Sequence, residues 1–256
     1  GKLILIVEDD ELNQRVILQQ LRLLGYAGEV ASNGAEALQL WREGDYALVL
    51  SDLHMPEMDG YALATNIRRE EGAQQRIPIL ALTANALRGE ANRAQAAGMD
   101  EYLTKPISLH LLRTALDKWL PREKVEDTSI SWYQETVETE DMPLVDIEVL
   151  KDLVGDDEEI VREFLAEYLS SVRKLGKDMH EAFAREDIRS ASEIAHKLKS
   201  SSRSVGALAL GDLCAGLENA GKAKNTETIA QEIQEFEVVL KAVEGEIRRY
   251  LANELG

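Results

Sequence analysis

Apolar residues follow two different rhythms along this chain, and the change falls near its middle. In the first 120 residues, short continuous apolar runs alternate with stretches of helical spacing. Residues 3–7, 46–50 and 79–82 read as strands covered on both faces, with 29–31 and 101–104 as shorter, weaker ones. Residues 13–24, 35–41, 61–69, 84–97 and 109–120 read as helices. Five strands alternating with five helices predict an open, doubly wound α/β domain on a five-stranded parallel sheet.

From residue 144 onward the strand pattern disappears. A short helix is expected over 146–154, then longer ones over 156–184, 188–202, 207–220 and 226–251. Each carries a single apolar stripe, such as Phe164, Tyr168, Val172, Leu175, Met179 and Phe183. Such stripes are buried most simply in an all-α antiparallel four-helix bundle. Gly206 and Gly221 fall where helix-ending turns are expected. Between the two halves, residues 121–143 show no sustained periodicity, begin and end on proline, and carry 7 Asp/Glu against 2 Lys/Arg. They read as an acidic linker, in which Trp132 and Tyr133 are unusual. The expected organisation is therefore 1–120, linker 121–143, and 144–256.

A length of 256 residues suits two domains. The net charge of −18 and the lack of a dense basic patch argue against nucleic acid as a partner. No apolar run approaches the roughly 18–20 residues of a membrane span, and the start does not resemble a signal peptide. The single cysteine, Cys214, excludes an internal disulfide and fits a reducing compartment, so a cytoplasmic location is expected.

Sheets of this kind place their sites beyond the carboxyl ends of the strands. There the chain offers Glu8, Asp9 and Asp10, then Asp52, Thr83, and Lys105 followed by Pro106. Clustered carboxylates repel unless a cation offsets them, and oxygen ligands favour a hard ion such as Mg²⁺. With the ion bound, Asp52 can attack phosphorus, while Mg²⁺, Lys105 and the Thr83 hydroxyl each meet a phosphoryl oxygen. In the second half His196 lies two residues from both Ile194 and Leu198, so it points away from the stripe they form. Lys199 shares its face and can neutralise an added phosphoryl group; Lys197 and Arg203 add positive charge. Ser200, one turn further on, leaves room for a partner to approach. An imidazole and a carboxylate can each carry a phosphoryl group, so Asp52 and His196 suggest two stations of a relay.

At these residues the first 120 positions resemble the receiver domains of two-component signalling, a flavodoxin-like family. Glu8-Asp9 resembles the family's acidic pair, Asp52 its phospho-acceptor, Thr83-Ala84 its switch hydroxyl and small neighbour, Tyr102 its switch aromatic, and Lys105-Pro106 its lysine and proline. The resemblance implies that His54 gives Mg²⁺ its backbone carbonyl, its side chain not being a ligand. Asp10 is left as a capping or supporting residue. Ala195-His196-Lys197-Leu198-Lys199-Ser200, with the stretch 210–218, resembles a histidine phosphotransfer domain over roughly 144–253. That implies His196 as phospho-acceptor and Lys199 as its supporting cation; the family usually has glycine where this chain has Ser200.

Together the resemblances imply a multistep phosphorelay. Asp52 accepts a phosphoryl group from a sensor histidine kinase, His196 exchanges it with Asp52, and a downstream response-regulator receiver collects it. A regulatory module, in which phosphorylated Asp52 controls docking without obligatory transfer, is the other class of reading. No segment resembles an ATP-binding kinase core, so catalysis by this chain alone is left open. The missing initiator methionine suggests the C-terminal part of a hybrid sensor kinase.

Overall fold

The continuous apolar runs pair as parallel strands. The computed structural model describes residues 2–72, 76–84, 88–120, 143–223 and 226–252. Strands β1 (Leu3–Val7), β2 (Ala27–Ala31), β3 (Tyr46–Asp52), β4 (Ile79–Thr83) and β5 (Glu101–Thr104) form one sheet in the order β2-β1-β3-β4-β5. Helices α1 (Glu11–Leu23), α2 (Gly34–Glu43), α3 (Gly60–Glu70), α4 (Arg88–Ala96) and α5 (Leu109–Trp119) connect and follow the strands. The period-two alternation of a strand divides the apolar residues between its faces. Ile4, Ile6, Leu48 and Leu50 face α1 and α5 with Ile17, Leu21, Leu112 and Leu116. Leu5, Val7, Val49 and Ile79 face the opposite side with Ala37, Leu63, Ala64 and Ile67.

Two elements differ from the pattern. β2 begins at Ala27 rather than residue 29, because its backbone pairs with β1 from Leu3↔Ala27 onward. Gly28 hid this: a Cβ there would lie 2.9 Å from an Ile6 methyl and 3.0 Å from one of Leu21, so no apolar side chain fits. β3 runs on to Asp52, whose register partner is Leu82. Asp52 is thus fixed by the sheet ladder instead of standing on a loop. Of the helix expected over 84–97, residues 88–96 are seen, and 85–87 lie outside the described residues. So does 121–142 of the expected linker, with Trp132 and Tyr133.

The second half folds as α6 (Ile147–Val154), α7 (Glu158–Ala184), α8 (Ile188–Ser204), α9 (Leu208–Ala223) and α10 (Thr226–Ala252). Each of the last four packs on the next, and α10 returns to α7. The connections between them are short, as antiparallel neighbours require. Tyr168, Leu198, Cys214, Phe236 and Val243 are buried in the shared core. Gly206 lies at φ 80°, and a Cβ there would fall 1.9 Å from the Asp146 carbonyl oxygen, so the α8–α9 turn demands glycine.

The halves are packed together. α1 lies against α6, α7 and α8, and α5 against α6. Leu12 and Val16 of α1 are 3% and 5% exposed because they join the core of the bundle rather than that of the sheet domain.

Candidate active site at the domain interface

The carboxyl ends of β1, β3 and β5 bring Glu8, Asp9, Asp52 and Lys105 together. Ligand oxygens of Glu8, Asp9 and Asp52 all lie within 4.8 Å of one another. The Lys105 ammonium donates to Glu8 and Asp52, at 2.5 Å each. The other Asp52 oxygen accepts the His54 backbone N–H at 3.0 Å. Lys105 precedes Pro106 through a cis peptide. Burial opposes a charge on Asp52, but Lys105 outweighs it and holds the carboxyl below its usual range, with smaller help from the His54 N–H and from His196 across the interface. Burial also opposes a charged Lys105, and here Asp52 and Glu8 prevail, raising its pKa. Glu8 is fully buried, so desolvation pushes it up to about 8 despite Lys105; Asp52 and Asp10 add to the rise. Burial withholds water from these carboxylates, so a bound cation would offset their charge. Three convergent carboxylates in that condition fit a hard divalent cation.

Local structure aims these groups. Asp10 caps α1 by accepting the Asn13 N–H at 2.9 Å, so the acidic pair sits between strand and cap. Gly60 opens α3 where a Cβ would meet the Asp52 carbonyl at 2.2 Å. Thr83, at the end of β4, donates its hydroxyl to Glu90 of α4 at 2.5 Å. Glu90 also faces the His54 imidazole, Nε2 to Oε1 3.5 Å. The His54 side chain thus turns to Glu90 and away from the acids' ligand cluster. Tyr102 is 48% exposed on β5.

On the bundle, His196 of α8 is not an open surface residue: its side chain is only 17% exposed. Its Nδ1 lies 3.1 Å from Glu218 Oε1 on α9. An ionised carboxylate only accepts, so Nδ1 donates to Glu218 and Nε2 is the ring nitrogen left for other chemistry. Glu218 also accepts from Lys199 at 2.6 Å and Lys222 at 2.5 Å. Burial opposes its charge, yet the His196 hydrogen bond and charge, with the two lysines, hold it well below the usual carboxylate range. Sequence reasoning missed Glu218 and Glu90. A signal for Glu218 existed: it falls in register with Cys214 and Leu217 on the buried stripe of α9, where an acid needs partners.

The loop that follows Asp52 faces His196 across the interface. The His54 and His196 rings are 5.9 Å apart, centroid to centroid. A cavity of about 220 Å³ between the domains is lined by His54, Thr83, Glu90, His196, Lys199 and Glu218, among others. Around it, Arg15 of α1 pairs with Glu163 and Glu167 and lies over the Phe164 ring. Lys197 reaches Asp9 at 3.5 Å. Ser200, expected to be open, is met by the Asn13 side chain at 2.8 Å.

Known families agree with this geometry. Residues 4–117 match the response regulator receiver domain, and residues 163–252 match the Hpt domain. The chain is thus a receiver domain followed by an Hpt domain. Among its relatives, the virulence sensor protein BvgS of Bordetella pertussis is 31% identical over 97% of this chain. The sensor histidine kinase RcsC of Escherichia coli is 38% identical over 47% of it. The chain spans 21% of the length of BvgS, and its match covers 12% of RcsC. The receiver domain of a Pseudomonas aeruginosa sensor histidine kinase, solved with magnesium coordinated in its active-site cleft, is 40% identical over 46% of this chain and 97% of its own, with a TM-score of 0.44.

Proposed function

We infer that this chain is a two-station phosphoryl relay in a multistep phosphorelay, with Asp52 and His196 as successive carriers. The carrying observation is that both stations open on one interface, the His54 ring beside Asp52 lying 5.9 Å from that of His196. An Asp52 oxygen attacks the phosphorus of a kinase phosphohistidine; the P–N bond breaks as the P–O bond forms. His196 Nε2 then attacks the acyl phosphate, the P–O bond breaks, and Asp52 is released as carboxylate. Glu218 holds the Nδ1 proton throughout and stabilises the charge that builds on the ring. Lys105 stabilises the charge on the phosphoryl oxygens at Asp52, and Lys199 takes that role at His196 once a phosphoryl group draws it from Glu218. Thr83 joins by leaving Glu90, and Tyr102 follows as the switch aromatic. Glu8, Asp9, Asp52 and the His54 carbonyl are the groups that would hold Mg²⁺, whose charge offsets that of the phosphoryl oxygens. The upstream partner is a sensor histidine kinase, in the manner of the hybrid relatives, and the downstream partner is a response-regulator receiver. No described helix is long and apolar enough to cross a membrane. Residues 121–143 serve as the link between the domains.

Labelling with acetyl phosphate and Mg²⁺ tests this reading. Wild type acquires base-labile acyl phosphate and then acid-labile phosphohistidine. Asp52→Ala takes up neither, and His196→Gln stops at the first. Full labelling of Asp52→Ala would remove Asp52 from the mechanism; an absence of phosphohistidine in wild type would favour a purely regulatory receiver.

A further inference from the structure

The interface between the domains is apolar at its centre, where Leu12 and Val16 enter the bundle core, and ionic at its rim, where Arg15 and Lys197 pair with acids. One side chain breaks this plan. Asn13, the third residue of α1, is 4% exposed yet carries a carboxamide into the contact. Its Nδ2 donates to Ser200 Oγ at 2.8 Å and its Oδ1 accepts from Ser204 Oγ at 3.2 Å. Nδ2 also donates to Glu8 at 3.3 Å, which fixes the amide's orientation from the receiver side. Ser200 and Ser204 stand one helical turn apart on α8, and Ser200 stands one turn from His196, so one amide bridges both hydroxyls beside the phospho-acceptor.

We propose that Asn13, Ser200 and Ser204 form the specificity-determining clasp through which this Hpt domain recognises its own receiver, and that it selects receivers presenting a carboxamide at this position of their first helix. The argument is one of unpaired groups. Apolar contacts such as those of Leu12 and Val16 tolerate many receivers of similar shape, and rim ion pairs discriminate weakly. A site built to hydrogen-bond a buried amide instead rejects an apolar replacement, because the half-buried Ser200 Oγ loses its donor and the buried Ser204 Oγ is left with the Ser200 carbonyl alone. Ser200 Oγ adds a donor–acceptor atom to the approach surface at the place where a smaller residue would leave it neutral. The clasp therefore favours transfer from Asp52 of the same chain over transfer with a receiver lacking the amide.

The proposal rests on the relay reading, and its test separates the two. The full chain is compared as wild type, Asn13→Leu, and Asn13→Leu combined with Ser200→Gly and Ser204→Ala. Two quantities are read: phosphohistidine formed per Asp52 acyl phosphate after acetyl phosphate labelling, and hydrogen-exchange protection of the α1 amides. Asn13→Leu lowers both the transfer ratio and the docking equilibrium by about tenfold. The two serine changes restore most of the loss, because they remove the groups left unpaired; damage to the receiver alone would not be repaired from the other domain. An Asn13→Leu chain equal to wild type in both readouts, or one that the serine changes fail to rescue, overturns the clasp. If protection falls and recovers as described while no chain forms phosphohistidine, including wild type, the clasp stands and the relay reading falls.

Discussion

The surroundings of Asp52 and of His196 are built with opposite charge. Around Asp52, three carboxylates share Lys105 and, from the bundle, Lys197, and burial above all drives Glu8 toward its protonated form. Around His196, one carboxylate is gripped by the imidazole and two lysines and is held firmly ionised. The first site is short of positive charge and the second has it to spare. A phosphoryl group brings negative charge wherever it goes, so the receiver must acquire a cation before it accepts one, whereas the bundle already holds its cations against Glu218. In the relay we infer, this asymmetry would put metal dependence on the aspartate half. The histidine half depends on ammonium groups tied to one acid.

The sharpest way to break the comparison is Lys105→Met. It leaves Glu8 and Asp52 buried without their shared ammonium, at a cost of about 3–5 kcal/mol to the receiver. Urea unfolding at pH 7 checks this, and added Mg²⁺ should return part of the loss. Removing Lys199 from the bundle should cost less, since Lys222 still holds Glu218.

Next in size is the contact that joins the stations. Leu12→Ala removes a side chain shared with the bundle core, and about 2 kcal/mol of docking with it, roughly thirtyfold. Wild type should label His196 faster than a mixture of Asp52→Ala and His196→Gln chains at micromolar protein, because tethering supplies an effective concentration of about millimolar. Leu12→Ala should narrow that gap. Equal rates in wild type and mixture would mean that docking within one chain has no kinetic role.

Asp9→Asn sharpens the metal side. Loss of one carboxylate from the cluster should weaken Mg²⁺ binding by roughly tenfold or more, followed through tryptophan and tyrosine fluorescence, and slow Asp52 labelling in parallel. An unchanged titration midpoint would make Asp9 a partner of Lys197 alone.

The smallest effect is a pH dependence on the histidine side. Glu218 is depressed in the folded chain relative to about 4.5 unfolded. Its contribution to stability is thus present above pH 4.5 and is lost as pH falls toward the folded value, since only the unfolded state binds the proton there. Glu218→Gln should cost about 1–2 kcal/mol at pH 7, and its unfolding midpoint should converge with that of wild type below pH 4.5. A gap that stays constant down to pH 3 would contradict the ionised role of Glu218.

Much of this was legible in the sequence because it depends on local order along the chain. Continuous apolar runs marked three of the five strands, and single apolar stripes marked the helices of the bundle. The rule that sites lie at strand ends then selected Glu8, Asp9, Asp52, Thr83 and Lys105 without any view of the fold. His196 was legible from its phase on α8, two residues from Ile194 and Leu198. What spacing could not supply was the partner of each group. His196 and Lys199 read as a pair facing solvent; in the structure both turn to Glu218, 19 or more positions away on the next helix. Thr83 read as a group for phosphoryl oxygen, while Glu90 holds it in this conformation. Ser200 read as open space, whereas Asn13 fills it from 187 positions away.

The sequence by itself determined the two architectures, the strand-end position of Asp52 and the place of His196 off the apolar stripe of α8, because amphipathic period and strand-end position are properties of neighbouring residues. Only the tertiary structure decided that Leu12 and Val16 belong to the core of the other domain, that Glu218 meets His196 Nδ1, and that Asn13 joins the acidic site to α8. Those outcomes turn on burial, which strips water from charges and amides and forces each to find a partner. The partners become available only when distant segments pack together.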